Sequence, residues 1–265
     1  MNFLGYPGTM GADFIDYIIT DRFITPPGHE AHYSEQPVYL PGSYQANDRK
    51  RSVAGTRPRS ELGLPEKSFV FCCFNHTYKI LPDVFAAWMR LLKAVSNGVL
   101  WLIKSSAWAE QNLRREAQRH GIAPERLVFA PVLPQDRHLG RFRAADLFLD
   151  TSPYNAHTTA SDALWAGLPV LTCAGDTFAS RVAGSLLTAV GLPELVTRSM
   201  ADYEALALRL ARNPGELAGL RDKLLRNRST APLFDTPAFT RHLETAYLRM
   251  WENYLAGQPP RAIEL

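Results

Sequence analysis

Cysteine is scarce in this chain: Cys72, Cys73 and Cys173 are the only three in 265 residues, and each lies in an apolar, strand-like run. They read as small buried hydrophobes, which argues against a disulfide framework or a metal set and fits a reducing cytoplasm. An excess of one charge is missing as well. Lys and Arg total 29 against 26 Asp and Glu, a net charge of +3, so neither nucleic acid nor an anionic membrane is indicated as a partner. No apolar run approaches the ~20 residues that cross a bilayer. The N-terminus shows no basic segment followed by an apolar stretch and a cleavage site, so no secretory signal is read there. Apolar residues are not lacking: 46% of the chain is hydrophobic and 21% charged, enough to bury a large core.

From residue 68 onward the chain alternates between strand and helix. Strands are expected at 68–75 (SFVFCCFN), 99–104 (VLWLIK), 127–131, 147–151 and 169–173. Helices are expected at 82–95, 108–120, around 136–143, at 158–166 and at 179–190. Short, nearly continuous apolar strands between helices of this length predict an α/β fold, a Rossmann-like parallel sheet with helices on both faces. Beyond residue 199 the pattern is helical, at 201–212, 214–226 and 237–254. The first 59 residues differ. A Gly/Pro-rich turn at 4–9 (LGYPGT) precedes an apolar run at 14–20 and a short strand at 37–40. A polar stretch at 42–59 then carries Arg49, Lys50, Arg51, Arg57 and Arg59. It reads as a linker whose basic residues form a solvated loop. No internal repeat is present.

Ligands of open α/β sheets bind beyond the carboxyl ends of the strands, and three loops there are unusually polar. The first, Asn75-His76-Thr77-Tyr78-Lys79, puts an ammonium just past a buried strand. It can neutralise a phosphate, or it can be an ordinary surface lysine. The second runs from Asp150 to Asp162 and opens a helix at His157-Thr158-Thr159. Free N–H groups and the positive dipole end make such a start an anion site, with Asp162 one turn on and able to accept from a ribose. A plain Thr N-cap is the competing reading. The third, from Pro131 through Gln135 and His138 to Arg141, can offer backbone groups, a stacking ring and a guanidinium to a base, or be a helix-entry loop. No Asp-x-Asp or His/carboxylate cluster suggests a metal at these loops.

Taken together, LGYPGT, DYIITD (16–21), FNHTYKI (74–80), VLWLIK, LDTSPYNAHTTASDALWAGLPVLT (149–172) and ASRV (179–182) resemble the O-GlcNAc transferase family of bacterial type. These are inverting glycosyltransferases of the two-lobed GT-B architecture. The similarity runs from Leu4 to Tyr254. It implies UDP-GlcNAc as donor, a protein or peptide Ser/Thr acceptor, and no metal or other cofactor. Lys79 and His157 would be the catalytic residues. Lys79 would neutralise the diphosphate with help from His76, which stands where animal members carry Gln. Thr158 and Thr159 would bind phosphate oxygens, and Asp162 the ribose. Leu133 would read uracil through its backbone, His138 would stack on it and Arg141 would contact it. Gln135 occupies the position of a nucleotide-touching Lys in animal members. Leu4, Gly5 and Pro7 would line the sugar pocket, and Tyr78 would lie near the acceptor.

The resemblance divides the chain into residues 1–59, the end of the first catalytic lobe plus a linker, and residues 60–265, the UDP-sugar-binding C-terminal lobe. Two histidines that the family carries upstream of LGYPGT have no counterpart here. Alternatives are therefore a UDP-binding module without its own turnover, or the related N-glucosylating branch using UDP-glucose and Asn acceptors. A sugar-nucleotide epimerase matches the ordered motifs less well.

Overall fold

The structure, a computed structural model, describes residues 1–265. β1 (Tyr17–Thr20) and β2 (Gln36–Tyr39) pair in parallel, with Asn2 bridging to Ile18 on the outer side. Every residue of β1 is buried, as expected of a parallel strand covered on both faces. The larger sheet begins after the linker. Its elements in chain order are β3 (Phe69–Cys73), α1 (Pro82–Ala94), β4 (Gly98–Ile103), α2 (Ala107–Arg119) and β5 (Leu127–Ala130). They continue as α3 (Gln135–Arg141), β6 (Leu147–Leu149), α4 (Thr158–Ala166), β7 (Val170–Cys173), α5 (Val182–Ala189) and β8 (Val196–Thr197). All six strands are parallel, in the order β5-β4-β3-β6-β7-β8. The chain thus builds outward in one direction from β3, then returns and builds outward in the other from β6. The crevice between β3 and β6 is the topological switch point of a doubly wound sheet.

Local chemistry explains most element ends. α1 starts with Pro82 and buries Val84, Phe85, Trp88, Leu91 and Leu92, one continuous helical stripe. Ser106 caps α2 by accepting the N–H of Ala109 at 3.1 Å. α4 stops at Gly167, whose φ of 90° suits only glycine; the N–H groups of Gly167 and Leu168 return to Leu164 and Ala163. α6 (Met200–Arg212), α7 (Pro214–Asn227) and α8 (Thr236–Leu255) form the helical C-terminus.

Three features depart from the sequence reading. The helix anticipated at 179–190 is broken: a capping box between Thr177 and Ser180 closes a short 3-10 turn, and α5 begins only after Arg181. β8 and β9 (Ile263–Glu264) are two-residue strands, too short to show any periodicity. β9 joins β2, so the last residues complete the first sheet.

The basic stretch is also not a solvated loop throughout. Arg51 pairs with Asp162 at 10% side-chain exposure, and Arg59 pairs with Asp146 at 2.8 Å. The reason lies in the surroundings. Ser43, Tyr44, Gln45 and Asn47 are buried, so the backbone of this stretch runs against α4 and α8 rather than through water. Gln45 donates to Ser161 at 3.2 Å, Thr236 donates to the carbonyl of Asn47 at 2.7 Å, and Trp165 donates to the carbonyl of Arg51 at 3.1 Å.

The junction between the N-terminal segment and the large sheet rests on one carboxylate. Asp21 is fully buried and accepts from the N–H groups of Phe23, Ile24 and Tyr44 and from the hydroxyl of Ser185 on α5, at 2.6–3.0 Å. Burial raises its pKa, and these four donors oppose the rise. Next to it the Phe23 ring lies so close against Gly184 that a Cβ there would collide with it. Asp21→Ala strands several buried donors at once, and urea unfolding is expected to show a loss of about 3 kcal/mol or more. A loss below about 1 kcal/mol would mean that the junction is held elsewhere.

Candidate functional site

The switch-point crevice is floored by Asp150, the residue directly after β6. It is buried, and its carboxylate accepts the N–H of Ala156 at 2.6 Å, the N–H of Thr151 at 2.8 Å and the hydroxyl of Thr172 at 2.6 Å. Its carbonyl accepts the hydroxyl of Tyr203, which in turn accepts the indole N–H of Trp88. Asn75, at the end of the neighbouring strand, donates to Thr151 at 2.8 Å and more weakly to Asp150 at 3.3 Å. Asn155 donates to the carbonyl of Thr151 at 2.8 Å. Loop 150–156 is therefore tied down at both ends, in a region where each lost buried partner costs about 1–3 kcal/mol. Burial pushes the Asp150 carboxyl up to about 7, against the Thr172 hydroxyl, the two N–H groups and the Lys79 ammonium.

Lys79 arrives from the β3 side on a 3-10 turn, Thr77–Lys79. Its ammonium donates to the carbonyl of Asn155 at 2.8 Å and lies 4.1 Å from the centre of the Tyr154 ring. A contact of this kind is worth about 0.5–2 kcal/mol, and it leaves further donors on the ammonium for an anion. Burial lowers the Lys79 pKa, and the charge of Asp150 holds it up. Tyr154 also stacks on His157, centroids 5.1 Å apart at 21°. Burial, and then the nearby Lys79 charge, push His157 down to about 4. At neutral pH it is an uncharged imidazole.

His157 is the N-cap of α4, yet its side chain caps nothing. The Thr-cap alternative therefore does not apply. The N–H groups of Thr158 and Thr159 at the helix start find no partner within the helix, as at any helix N-terminus. Thr158, His157, Leu4, Gly5 and Pro7 line one cleft of about 280 Å³, together with Tyr154 and with Arg51 of the linker. Asp162, one turn along α4, is paired with that same Arg51.

The base-side candidates stand apart, at the end of β5. Leu133 and Arg141 line a second pocket of about 170 Å³, walled by Ala54 and Gly55 of the linker. The linker passes tightly: a Cβ on Gly140 would meet the Ala54 carbonyl oxygen at 2.7 Å. Arg141 is buried, donates to the carbonyl of Pro131 at 2.5 Å and lies 4.3 Å from the Phe74 ring centre. Burial pulls its pKa down to about 10. His138 touches Arg141 and packs edge-on against Phe142, ring centres 5.0 Å apart. Burial and the Arg141 charge push His138 to about 4. Gln135 opens α3 and is exposed. His76 and Tyr78 stack on the rim with ring centres 5.4 Å apart, and both are exposed.

Residues that sequence reasoning passed over are Asn75, Asp150, Tyr154, Asn155 and Arg51. An acid ending an apolar strand was a usable signal for Asp150. Nothing local marked the others. No group of His, Cys, Asp and Glu side chains could hold a metal ion, and no helix is long and apolar enough to cross a membrane.

Known proteins resemble this chain in sequence and in fold. The family model described as glycosyl transferase family 41 matches residues 1–56 and 49–243. An Arabidopsis thaliana protein named as a probable UDP-N-acetylglucosamine–peptide N-acetylglucosaminyltransferase, SEC, is 40% identical over 98% of this chain and 27% of its own length. The Caenorhabditis elegans protein named as a UDP-N-acetylglucosamine–peptide N-acetylglucosaminyltransferase is 37% identical over 76% of this chain and 18% of its own. The chain thus spans about a quarter or less of these relatives. Among solved structures, a mutant of the Thermobaculum terrenum O-GlcNAc transferase superposes with a TM-score of 0.87 at 35% identity, covering 95% of this chain and 48% of that one. A Thermosynechococcus elongatus sucrose-phosphate synthase, at 17% identity and a TM-score of 0.66, shares the fold alone. The sheet is accordingly that of a GT-B glycosyltransferase. Because the family match runs through the cleft loops as well as the strands, from residue 1 to residue 243, the chain belongs to glycosyl transferase family 41.

Proposed function

We propose that this chain binds UDP-GlcNAc at the β3/β6 crevice and serves the inverting transfer of GlcNAc to Ser or Thr of a protein acceptor. The observation that carries the reading is the convergence of two anion-binding elements from different strands. The Lys79 ammonium and the uncapped start of α4 are brought together by the loop that Asp150 locks. The similarity to proteins named as UDP-N-acetylglucosamine–peptide transferases supports the choice of donor and acceptor.

When an acceptor hydroxyl attacks the anomeric carbon, the bond to the diphosphate breaks and negative charge grows on the departing UDP. Lys79 and the N–H groups of Thr158 and Thr159 meet that charge already oriented, which is where electrostatic catalysis acts. His157, uncharged, adds a hydrogen-bonding ring without competing for the phosphate charge. Leu133 and Arg141 take the uracil and His138 stacks on it, with Gln135 and His76 at the edges of the nucleotide and Asp162 at the ribose. Leu4, Gly5 and Pro7 enclose the sugar, and Tyr78 borders the acceptor. Residues 1–59 act as first-lobe segment and linker, and residues 60–265 as the donor lobe. Three free, buried cysteines suit a cytoplasmic setting.

Three outcomes are expected. Lys79→Ala weakens UDP by roughly 2 kcal/mol, about thirtyfold in Kd, while uridine binding by calorimetry stays within experimental error. Equal UDP binding by both chains would refute the phosphate assignment. By NMR, His157 titrates near 4, and Lys79→Ala moves that midpoint upward. The unfolded chain takes up the same proton nearer 6.5, so the stability His157 contributes is complete above that pH and declines as the pH falls toward 4. Finally, chelation with EDTA leaves UDP affinity unchanged, because Lys79 and the helix start supply the charge; a loss of binding restored by Mg²⁺ would contradict this.

A further inference from the structure

The charges around the cleft are unevenly assigned. A nucleoside diphosphate sugar carries negative charge on each phosphate, and more develops as it leaves. Against this stand Lys79, held behind Tyr154, and the partial charge of the α4 N-terminus. His157 brings no charge at neutral pH. Arg51 is the one Lys or Arg side chain that lines the cleft itself.

The setting of Arg51 is that of a held donor rather than a loose surface arginine. Its Nε donates to the carbonyl of Asp48 at 3.0 Å, and its Nη1 is paired with the Asp162 carboxylate. Its own carbonyl accepts the Trp165 indole N–H at 3.1 Å, so the residue is fixed to α4 through both backbone and side chain. The side chain is nine-tenths buried, and Nη2 has no partner at all. Asp162 lies four residues after Thr158, on the same helix face one turn along. The guanidinium therefore stands about one turn from the free N–H groups that begin α4.

We propose that Arg51 is a donor-binding residue, with Nη2 taking a phosphate oxygen of the nucleoside diphosphate while Nη1 stays on Asp162. This rests on the crevice being the donor site. A guanidinium suits the role because its fork can hold a carboxylate with one N–H and a phosphate with another. A buried donor without an acceptor is an unfavourable state that a ligand oxygen removes. The linker then does more than connect: it carries a cation from the N-terminal side into the phosphate site.

The test is an NMR titration of the full chain with UDP and with uridine, which lacks the phosphates. Arg51→Gln is expected to weaken UDP by about tenfold or more and to change uridine by less than about twofold, with Arg51→Lys recovering part of the loss. An equal loss for UDP and uridine would mean that Arg51 acts only through Asp162 on the ribose, and would overturn the proposal. So would UDP binding that the substitution leaves unchanged. If Arg51→Gln fails to fold because Asp162 is left unpaired, Asp162→Asn is compared with Arg51→Gln/Asp162→Asn. A selective loss of UDP in the double variant then supports the proposal, and an equal loss or none overturns it. A wild-type chain that binds no UDP would instead defeat the donor-site reading itself.

Discussion

Everything at the crevice depends on a carboxylate that no ligand is asked to touch. Asp150 sits where β6 ends, out of water, with four protein donors directed at it. Such a group is costly to bury unless it is fully bonded, and the structure meets that cost by folding loop 150–156 back over it. The consequences run outward. Closing the loop presents the Asn155 carbonyl to Lys79, sets the Tyr154 ring beside both Lys79 and His157, and starts α4 with its first N–H groups uncapped. The geometry of the crevice around Lys79 and the start of α4 is inherited from a buried hydrogen-bond network one layer beneath it.

A second buried carboxylate does the equivalent at larger scale. Asp21 joins the turn after β1, the buried start of the linker and α5. With β9 closing the first sheet, the N-terminal segment is held at a fixed place over the crevice. That is why Leu4, Gly5 and Pro7, far from His157 and Thr158 in sequence, share one cleft with them. The linker between these anchors is under the same constraint. It packs against α3 closely enough that Gly140 has no room for a side chain, and it leaves Arg51 on α4.

Much of this was legible in the sequence. Five of the six strands of the larger sheet follow from apolar strand runs alternating with amphipathic helices, and their ends fall within a residue or two of the expected places; the two-residue β8 gave no such signal. The polar loops after β3 and β6 were conspicuous because polar residues directly after buried strands need a reason. The basic stretch misled because charge runs usually face water; here buried Tyr44, Gln45 and Asn47 anchor it, and their burial is set by α4 and α8, which lie far along the chain. The break before α5 was missed because Ala179 to Val190 has good helical periodicity, and the Thr177–Ser180 capping box overrides it.

By itself, then, the sequence determined the parallel α/β sheet, the helical C-terminus and the chemistry of the loops at the strand ends, because hydrophobic period and turn preference are local and survive without knowledge of the fold. The tertiary structure decided which of those loops meet, that Asp150 is a buried lock and not a ligand, that Arg51 reaches Asp162 across 111 positions, and that two terminal residues complete a sheet begun at residue 17. These depend on the burial and pairing of distant groups, and a short polar residue carries no local mark of the partner it will find.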